Sequence, residues 1–341
     1  MTSYIDTGEF MGLRKTLSVL DVRSPLEFEA GHIPGAINLP LFDNQERTMV
    51  GTAYKKSGRE KAMLVGLEYA GKKLTSYVSG ARRAAANRKV LMHCWRGGMR
   101  SESMAWLLSL AGFDVFLLKG GYKAYRKYIR KLWETPGPFI VLSGKTGTGK
   151  TDILNYLEKT GQQVIDLEGY AHHKGSAFGS LGELPQPTNE QFENDLADKW
   201  LKLDHSQITW AEDESRSIGR VSIPEKLNET IHSCTTVCLD MPENLRIDRL
   251  VHDYAAFPKP LLKQSVEKIR RKLGGQNANK AIEAIENEDF RLAVSVVLKY
   301  YDKTYSYDLA KREPRRVFSA ALNRKLAYAS VERATLSAFL I

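Results

Sequence analysis

Short apolar runs alternate along the chain with longer stretches in which apolar residues recur every three or four positions. This is the pattern of strands alternating with helices. In the first third, SVLDVR (18–23), AINLP (36–40), KVLMHC (89–94) and VFLLKG (115–120) read as strands. SESMAWLLSLAG (101–112) has helical spacing, with Gly112 placed to end the helix. A second helix is predicted over YKAYRKYIRKLWE (122–134), with Tyr122, Tyr125, Ile129, Leu132 and Trp133 on one face. Lys123, Arg126, Lys127, Arg130 and Lys131 fill the other face.

TPGP (135–138) marks a boundary, after which the alternation resumes. FIVLSGKTGTGKTDILNYLEKTG (139–161) is a strand, a glycine-rich turn and a helix, and QVIDLE (163–168), QITWAED (207–213) and TVCLDM (236–241) are further strand candidates. From about Pro242 the pattern turns helical, including 262–274 and 279–309. The expectation is an α/β protein of two domains, 1–134 and 135–341. Each has a mostly parallel sheet flanked by helices, and the second carries a helical C-terminal region.

Composition narrows the class. A chain of 341 residues can bury two cores, and 43% hydrophobic with 26% charged residues describes a globular protein rather than a disordered one. No apolar run is long enough to span a membrane, and MTSYIDTGEF lacks the layout of a signal peptide. Three cysteines (Cys94, Cys234, Cys238) make no disulfide framework and fit a reducing, cytoplasmic setting. Charge changes the picture more. Between Arg82 and Lys131 twelve Lys and Arg face only Glu102 and Asp114, a local excess equal to the net +10 of the whole chain. Such concentration favours an anionic partner such as RNA over a merely basic surface, with Lys123, Arg126, Lys127, Arg130 and Lys131 as candidate phosphate contacts.

Two loops carry chemistry. Gly144 to Thr151, GKTGTGKT, fits the phosphate-binding pattern G-x4-G-K-[ST] between a strand and a helix. Gly144, Thr146, Gly147, Thr148 and Gly149 can turn successive amides inward on a phosphate, and the helix adds its positive end. Lys150 would neutralise a distal phosphate and Thr151 could hold Mg²⁺. The pattern does not imply hydrolysis. Glu212-Asp213-Glu214 reads equally as a metal-placing cluster or a charged strand end.

The other loop is Cys94-Trp-Arg96-Gly97-Gly98-Met-Arg100-Ser101. Two arginines and a following helix would lower the thiol pKa, and the glycines let amides face the sulfur. Cys-x5-Arg-Ser is the spacing of a thiolate phosphatase, and the same loop could carry sulfur or selenium. His93 either tunes the thiol or packs a strand end. Cys234 and Cys238 read as structural thiols, and His172-His173 as a loop pair rather than metal ligands. No set of zinc ligands is present.

DVRSPLEFEAGHIPGAINLP (21–40) resembles the opening of a rhodanese-type domain, and Cys94 falls on its persulfide cysteine. Joined to a phosphate-loop domain, it resembles the tRNA 2-selenouridine synthase family. Cys94 to Ser101, Asp166-Leu-Glu168-Gly169, His173-Lys174-Gly-Ser176, Phe178-Gly179, Gln186-Pro187, Phe192-Glu193 and Glu212-Asp213-Glu-Ser-Arg216 share that resemblance, which spans about 18 to 255. Lys174 departs from it, standing where arginine is more frequent; charge survives, bidentate phosphate binding does not.

The resemblance implies conversion of wobble 2-thiouridine in tRNA to 2-selenouridine through an S-geranyl intermediate. Geranyl diphosphate would sit at the phosphate loop, and selenium from selenophosphate, which a partner protein could supply, would be carried on Cys94. The Cys94–Arg100 loop is one residue longer than a compact rhodanese loop. That suggests it first receives the phosphate part of selenophosphate, clamped by Arg96 and Arg100, before Cys94 takes selenium and phosphate leaves. Asp166, Glu168, His173, Lys174, Ser176, Glu212, Asp213 and Arg216 are expected to support substrate binding. Two other readings are a cysteine phosphatase fused to a phosphate-loop kinase and an ATP-switched, RNA-binding sulfur relay.

Overall fold

A computed structural model of the protein describes residues 1–309 and 317–321. The end of the expected second domain therefore lies partly outside the described residues. The chain divides into two compact units, Met1–Leu132 and a second beginning at Trp133.

The first unit runs β1 (Thr2–Ile5), α1 (Thr7–Leu13), β2 (Ser18–Asp21), α2 (Pro25–Glu29), β3 (Ile37–Asn38), α3 (Asn44–Gly71), α4 (Leu74–Ala84), β4 (Lys89–His93), α5 (Met99–Leu110), β5 (Asp114–Leu118) and α6 (Gly121–Lys131). Its five strands pair in parallel in the order β1-β5-β4-β2-β3, which puts β4 in the middle. A middle strand is covered on both faces, and Val90 to His93 are all buried. Leu20, Val90, Met92, Met104, Leu108, Val115 and Leu117 share one core. Long α3 escaped the sequence reading because it buries only Ala62 and Gly66 and so shows no apolar stripe.

The second unit contains β6 (Phe139–Gly144), α7 (Lys150–Lys159), β7 (Gln163–Ile165), α8 (Leu167–Ala171), α9 (Asn189–Trp200), β8 (Thr209–Glu212), β9 (Ser217–Ile218), β10 (Val221–Ser222), α10 (Glu225–Ser233) and β11 (Thr235–Asp240). There follow α11 (Glu243–Tyr254), α12 (Lys259–Lys268), α13 (Arg270–Leu273), α14 (Gly275–Glu286), α15 (Phe290–Leu309) and β12 (Val317–Ala321). The sheet is parallel in the order β12-β11-β6-β8-β7, with fully buried β6 in the middle. The helical C-terminal region is as expected, except that β12 returns from it to the sheet edge. A second core joins α12 to α15, with Val266, Ala281, Ile285, Ala293 and Val297 at its centre. Among the described residues no helix is long and apolar enough to cross a membrane.

Candidate active site

Cys94 directly follows β4 and is 3% exposed. The buried Ser101 hydroxyl lies 3.2 Å from its Sγ and 3.0 Å from the Gly98 carbonyl, so its one proton can go to sulfur when sulfur carries charge. Burial pushes the thiol up. The Ser101 hydroxyl, the Arg96 amide, the Arg100 charge and the Gly98 amide together outweigh it and hold the thiol below its ordinary value.

The loop keeps its amides for the sulfur because its carbonyls are taken from below. Tyr122 N donates to Cys94 O at 2.9 Å and Lys123 N to Trp95 O at 3.0 Å, both from the start of α6. Gly121 allows this approach: a Cβ there would lie 2.4 Å from Cys94 O and 2.5 Å from Gly97 N.

The arginines divide their roles. Arg96 is exposed. Arg100 forms a fork on Glu27, Nη1 to Oε2 at 2.5 Å and Nη2 to Oε1 at 3.2 Å. Burial pushes the Glu27 carboxyl up, but Arg100, the Ser24 amide and Arg47 together outweigh it and hold the group below its usual range. Arg100 can therefore grip an incoming anion only by sharing or leaving Glu27. Glu27 belonged to the resemblance but not to the expected site, and nothing local in the sequence ties it to Arg100.

The Asp21-Val-Arg23 motif proves to be scaffold. Arg23 is fully buried, with Nη2 2.6 Å from Asp21 Oδ2 and 2.7 Å from Gly31 O, and its guanidinium lies 3.9 Å above the Tyr122 ring. His93 lies between Phe10 and Tyr122, its Nε2 3.8 Å from Asp21 Oδ2. Burial pushes its pKa down, so it packs the strand end as a neutral ring and lends Cys94 no charge.

The glycine-rich loop links β6 to α7. Gly149 caps α7 at φ +82°, where a Cβ would come within 2.7 Å of Arg249 Nη1. Thr148 closes the turn on Lys145 O at 2.9 Å, and Lys150 Nζ lies 3.2 Å from Gly144 O. Gly144 and Gly147 complete the turn, and Thr146 is held by an arginine the sequence did not single out. Arg246 on α11 is 2% exposed, reaches Thr146 O at 3.1 Å, and forks onto Asp302 of α15 at 2.8 and 2.6 Å. Lys145 and Arg249, which pairs with Asp152, add two more cations.

Acids gather beside Lys150. Glu212, 2% exposed at the end of β8, accepts the Glu168 N–H at 2.7 Å through Oε1, and its buried Oε2 has no partner. Thr151 Oγ1 donates to Glu168 Oε2 at 3.4 Å, and Glu168 hydrogen-bonds Glu214. Burial pushes Glu212 and Glu214 well up, helped by repulsion from Asp166 and Glu168 on the first and from Glu168 on the second; burial raises Glu168 too, against the pull of Lys150. Among the described residues no group of three or more His, Cys, Asp or Glu is arranged to hold a metal ion.

The remaining expected residues are spread more widely. Asp166 caps α8 through Gly169 N at 2.7 Å, and Asp213 accepts the Ser143 hydroxyl. His173 is half-buried, Ser176 accepts from Phe178 N at 3.2 Å, and exposed Lys174 pairs with Glu183 at 3.2 Å. Arg216 is exposed just before β9. On α6, Lys123, Lys127, Arg130 and Lys131 are exposed, but Arg126 is 7% exposed. Its place on the basic face is thereby corrected: one turn after Tyr122, it falls on the buried side.

A thiolate loop on one parallel α/β unit and a phosphate loop on another define a rhodanese-like domain joined to a P-loop-type domain. The rhodanese-like domain family matches residues 7–128, and the family described as the tRNA 2-selenouridine synthase AAA domain matches 137–260. A protein of Shewanella woodyi named tRNA 2-selenouridine synthase is 33% identical over 340 residues, covering 89% of this chain and 91% of its own. Proteins of the same name from Bdellovibrio bacteriovorus and Bordetella petrii are 35% and 33% identical, covering 89% and 95% of this chain and 92% and 95% of theirs. The chain belongs to the tRNA 2-selenouridine synthase family, and it is an enzyme.

Proposed function

We propose that the protein converts 2-thiouridine at the wobble position of tRNA to 2-selenouridine in two steps. In the first, the thiouridine sulfur bonds to C1 of geranyl diphosphate. The C1–O electron pair leaves with the diphosphate, and the base gives up its N3 proton. In the second, selenide-level selenium held in the Cys94 loop attacks C2, and the C2–S bond breaks to expel geranylthiolate; selenium bonded to the Cys94 sulfur would in addition need a second thiol to cleave the S–Se bond and free the base. Alkylation makes that sulfur a far better leaving group. The observation that carries the reading is the Cys94 thiol, held below its usual pKa by amides, Ser101 and Arg100.

Electron balance sharpens the selenium step. If Cys94 attacks the selenium of selenophosphate, the Se–P electron pair stays on phosphorus and the co-product is phosphite. Release of phosphate instead requires water to attack phosphorus and break the Se–P bond, which leaves selenium at the selenide level, held in the loop by its amides and Arg100 without an S–Se bond. Phosphorus NMR of the loading reaction separates the two.

Gly144 to Thr151 would cradle the diphosphate, with Lys150 on its departing charge. Thr151 and Glu168 would hold Mg²⁺ only together with diphosphate oxygens, a usual arrangement for that ion, which would further neutralise the leaving group. Lys123, Lys127, Arg130 and Lys131 would meet tRNA phosphates near the anticodon.

The test is mass spectrometry of tRNA nucleosides after incubation with selenophosphate and geranyl diphosphate. Cys94→Ala is expected to accumulate the geranylated nucleoside. Lys150→Ala is expected to stay at 2-thiouridine, about 100-fold slower in alkylation. Normal selenouridine formation by Cys94→Ala would sink the reading.

A further inference from the structure

Beside the phosphate loop the second unit holds an apolar cavity with about 620 Å³ of space free of protein atoms, part of it open to solvent. Thr146 of the loop and Ser176 line it together with Tyr254, Ala293, Val297 and Tyr301. Its remaining walls come from Phe178, Ala255 and aliphatic and aromatic side chains of α11, α12, α14 and α15. Two of its polar groups are already engaged: Tyr301 OH accepts the Ala177 N–H at 2.9 Å, and Ser176 Oγ accepts from Phe178 N.

A cavity this apolar is unsuited to a ribose or a charged base, yet it shares Thr146 with a loop surrounded by Lys145, Lys150, Arg246 and Arg249. One ligand satisfies both halves: an anionic head on an apolar chain. We infer that the cavity is the subsite for the isoprenoid chain of an allylic diphosphate and that α15 sets the length of chain accepted. This deepens, and rests on, the reading of 144–151 as a diphosphate cradle. The chain would enter this hollow, with the bond to be broken lying where cradle meets cavity. The Arg246 fork ties the two halves together, since it joins Thr146 O to Asp302 on the helix that carries Ala293 and Val297.

The inference assigns a role to helices that carried no recognisable motif. Ala293, 6% exposed, and Val297, 8% exposed, stand one helical turn apart on α15. Enlarging the first should shorten the cavity and trimming the second should lengthen it.

The test measures binding of inorganic diphosphate and of dimethylallyl, geranyl and farnesyl diphosphates to the full-length protein, with alkylation of 2-thiouridine-containing tRNA followed in parallel. Wild type is expected to bind geranyl diphosphate at least about 100-fold more tightly than inorganic diphosphate, which is what burying only three or four methylenes gives at about fourfold each. Ala293→Phe should weaken geranyl diphosphate at least about tenfold while leaving inorganic and dimethylallyl diphosphate within about threefold. Val297→Ala should shift preference about tenfold toward farnesyl; it also covers the case in which Ala293→Phe fails to fold, as thermal melts would reveal. Equal weakening of every diphosphate, or a preference that a folded Val297→Ala leaves unmoved, overturns the subsite. If wild type still geranylates tRNA in that case, the functional reading survives. A protein that selects chain length but never alkylates tRNA supports the subsite and defeats that reading.

Discussion

In the first unit a glycine-containing turn follows β4, the middle of five parallel strands; in the second, a similar turn follows β6, again the middle of five. Each leads straight into a helix, and each turns through glycines at positive φ, Gly97 in the first and Gly147 and Gly149 in the second. What surrounds them differs. The Cys94 loop pulls an acid toward ionisation, because amides, a hydroxyl and Arg100 converge on one sulfur. The phosphate loop pushes acids the other way, because burial and neighbouring carboxylates raise Glu168, Glu212 and Glu214 even beside Lys150. The backbone device is shared, and the chemistry is set by how many negative groups compete for the same positive field. In one loop the protein supplies the anion; in the other, Lys150 rests on the Gly144 carbonyl, placed to turn to an anion from outside.

The contrast can be broken at the acids first. The folded protein keeps protons on Glu212 and Glu214 at pH values where the unfolded chain, near the ordinary 4.5, has released them. Stability should therefore fall as pH rises above that value, by up to about 1.4 kcal/mol per pH unit for each proton held. Urea unfolding between about pH 5 and pH 8 should show this fall, and Glu214→Gln should make it shallower. An unchanged slope would mean that the cluster ionises freely.

The next effect lies at the thiol. Ser101→Ala removes a donor to the Cys94 sulfur, so the thiol pKa should rise. Its alkylation by iodoacetamide near neutral pH should slow roughly three- to tenfold, the worth of one hydrogen bond. A rate that does not move would leave the amides and Arg100 as the whole cause.

The smallest effect is expected at Glu27→Gln, which loosens the Arg100 fork and should cost about 1 kcal/mol near neutral pH. The Glu27 pKa is depressed, so its contribution is present above the ordinary value of 4.5 and lost as pH falls through the lower folded value. Denaturation curves of variant and wild type should converge in acid. If freeing Arg100 improves anion binding, selenophosphate loading at limiting concentration should rise as stability drops.

The amino-acid sequence by itself determined both loops. Strand, turn and helix lie within a few consecutive residues, and their glycines, Cys94 and Lys150 are fixed by local backbone geometry. It also determined the parallel α/β class, through apolar runs that only doubly covered strands can bury. Tertiary structure decided what each loop does with its charges. The partner of Arg100 is 73 residues away at Glu27, and that of Arg246 is 56 residues away at Asp302. Parallel strands are joined by long crossovers, so groups that meet at the ends of the sheet carry no short-range spacing to betray them. For the same reason the burial of Arg126, the close approach of Gly121 beneath the cysteine loop, the return of β12 to the sheet edge and the apolar cavity beside Thr146 emerged only once the elements were packed.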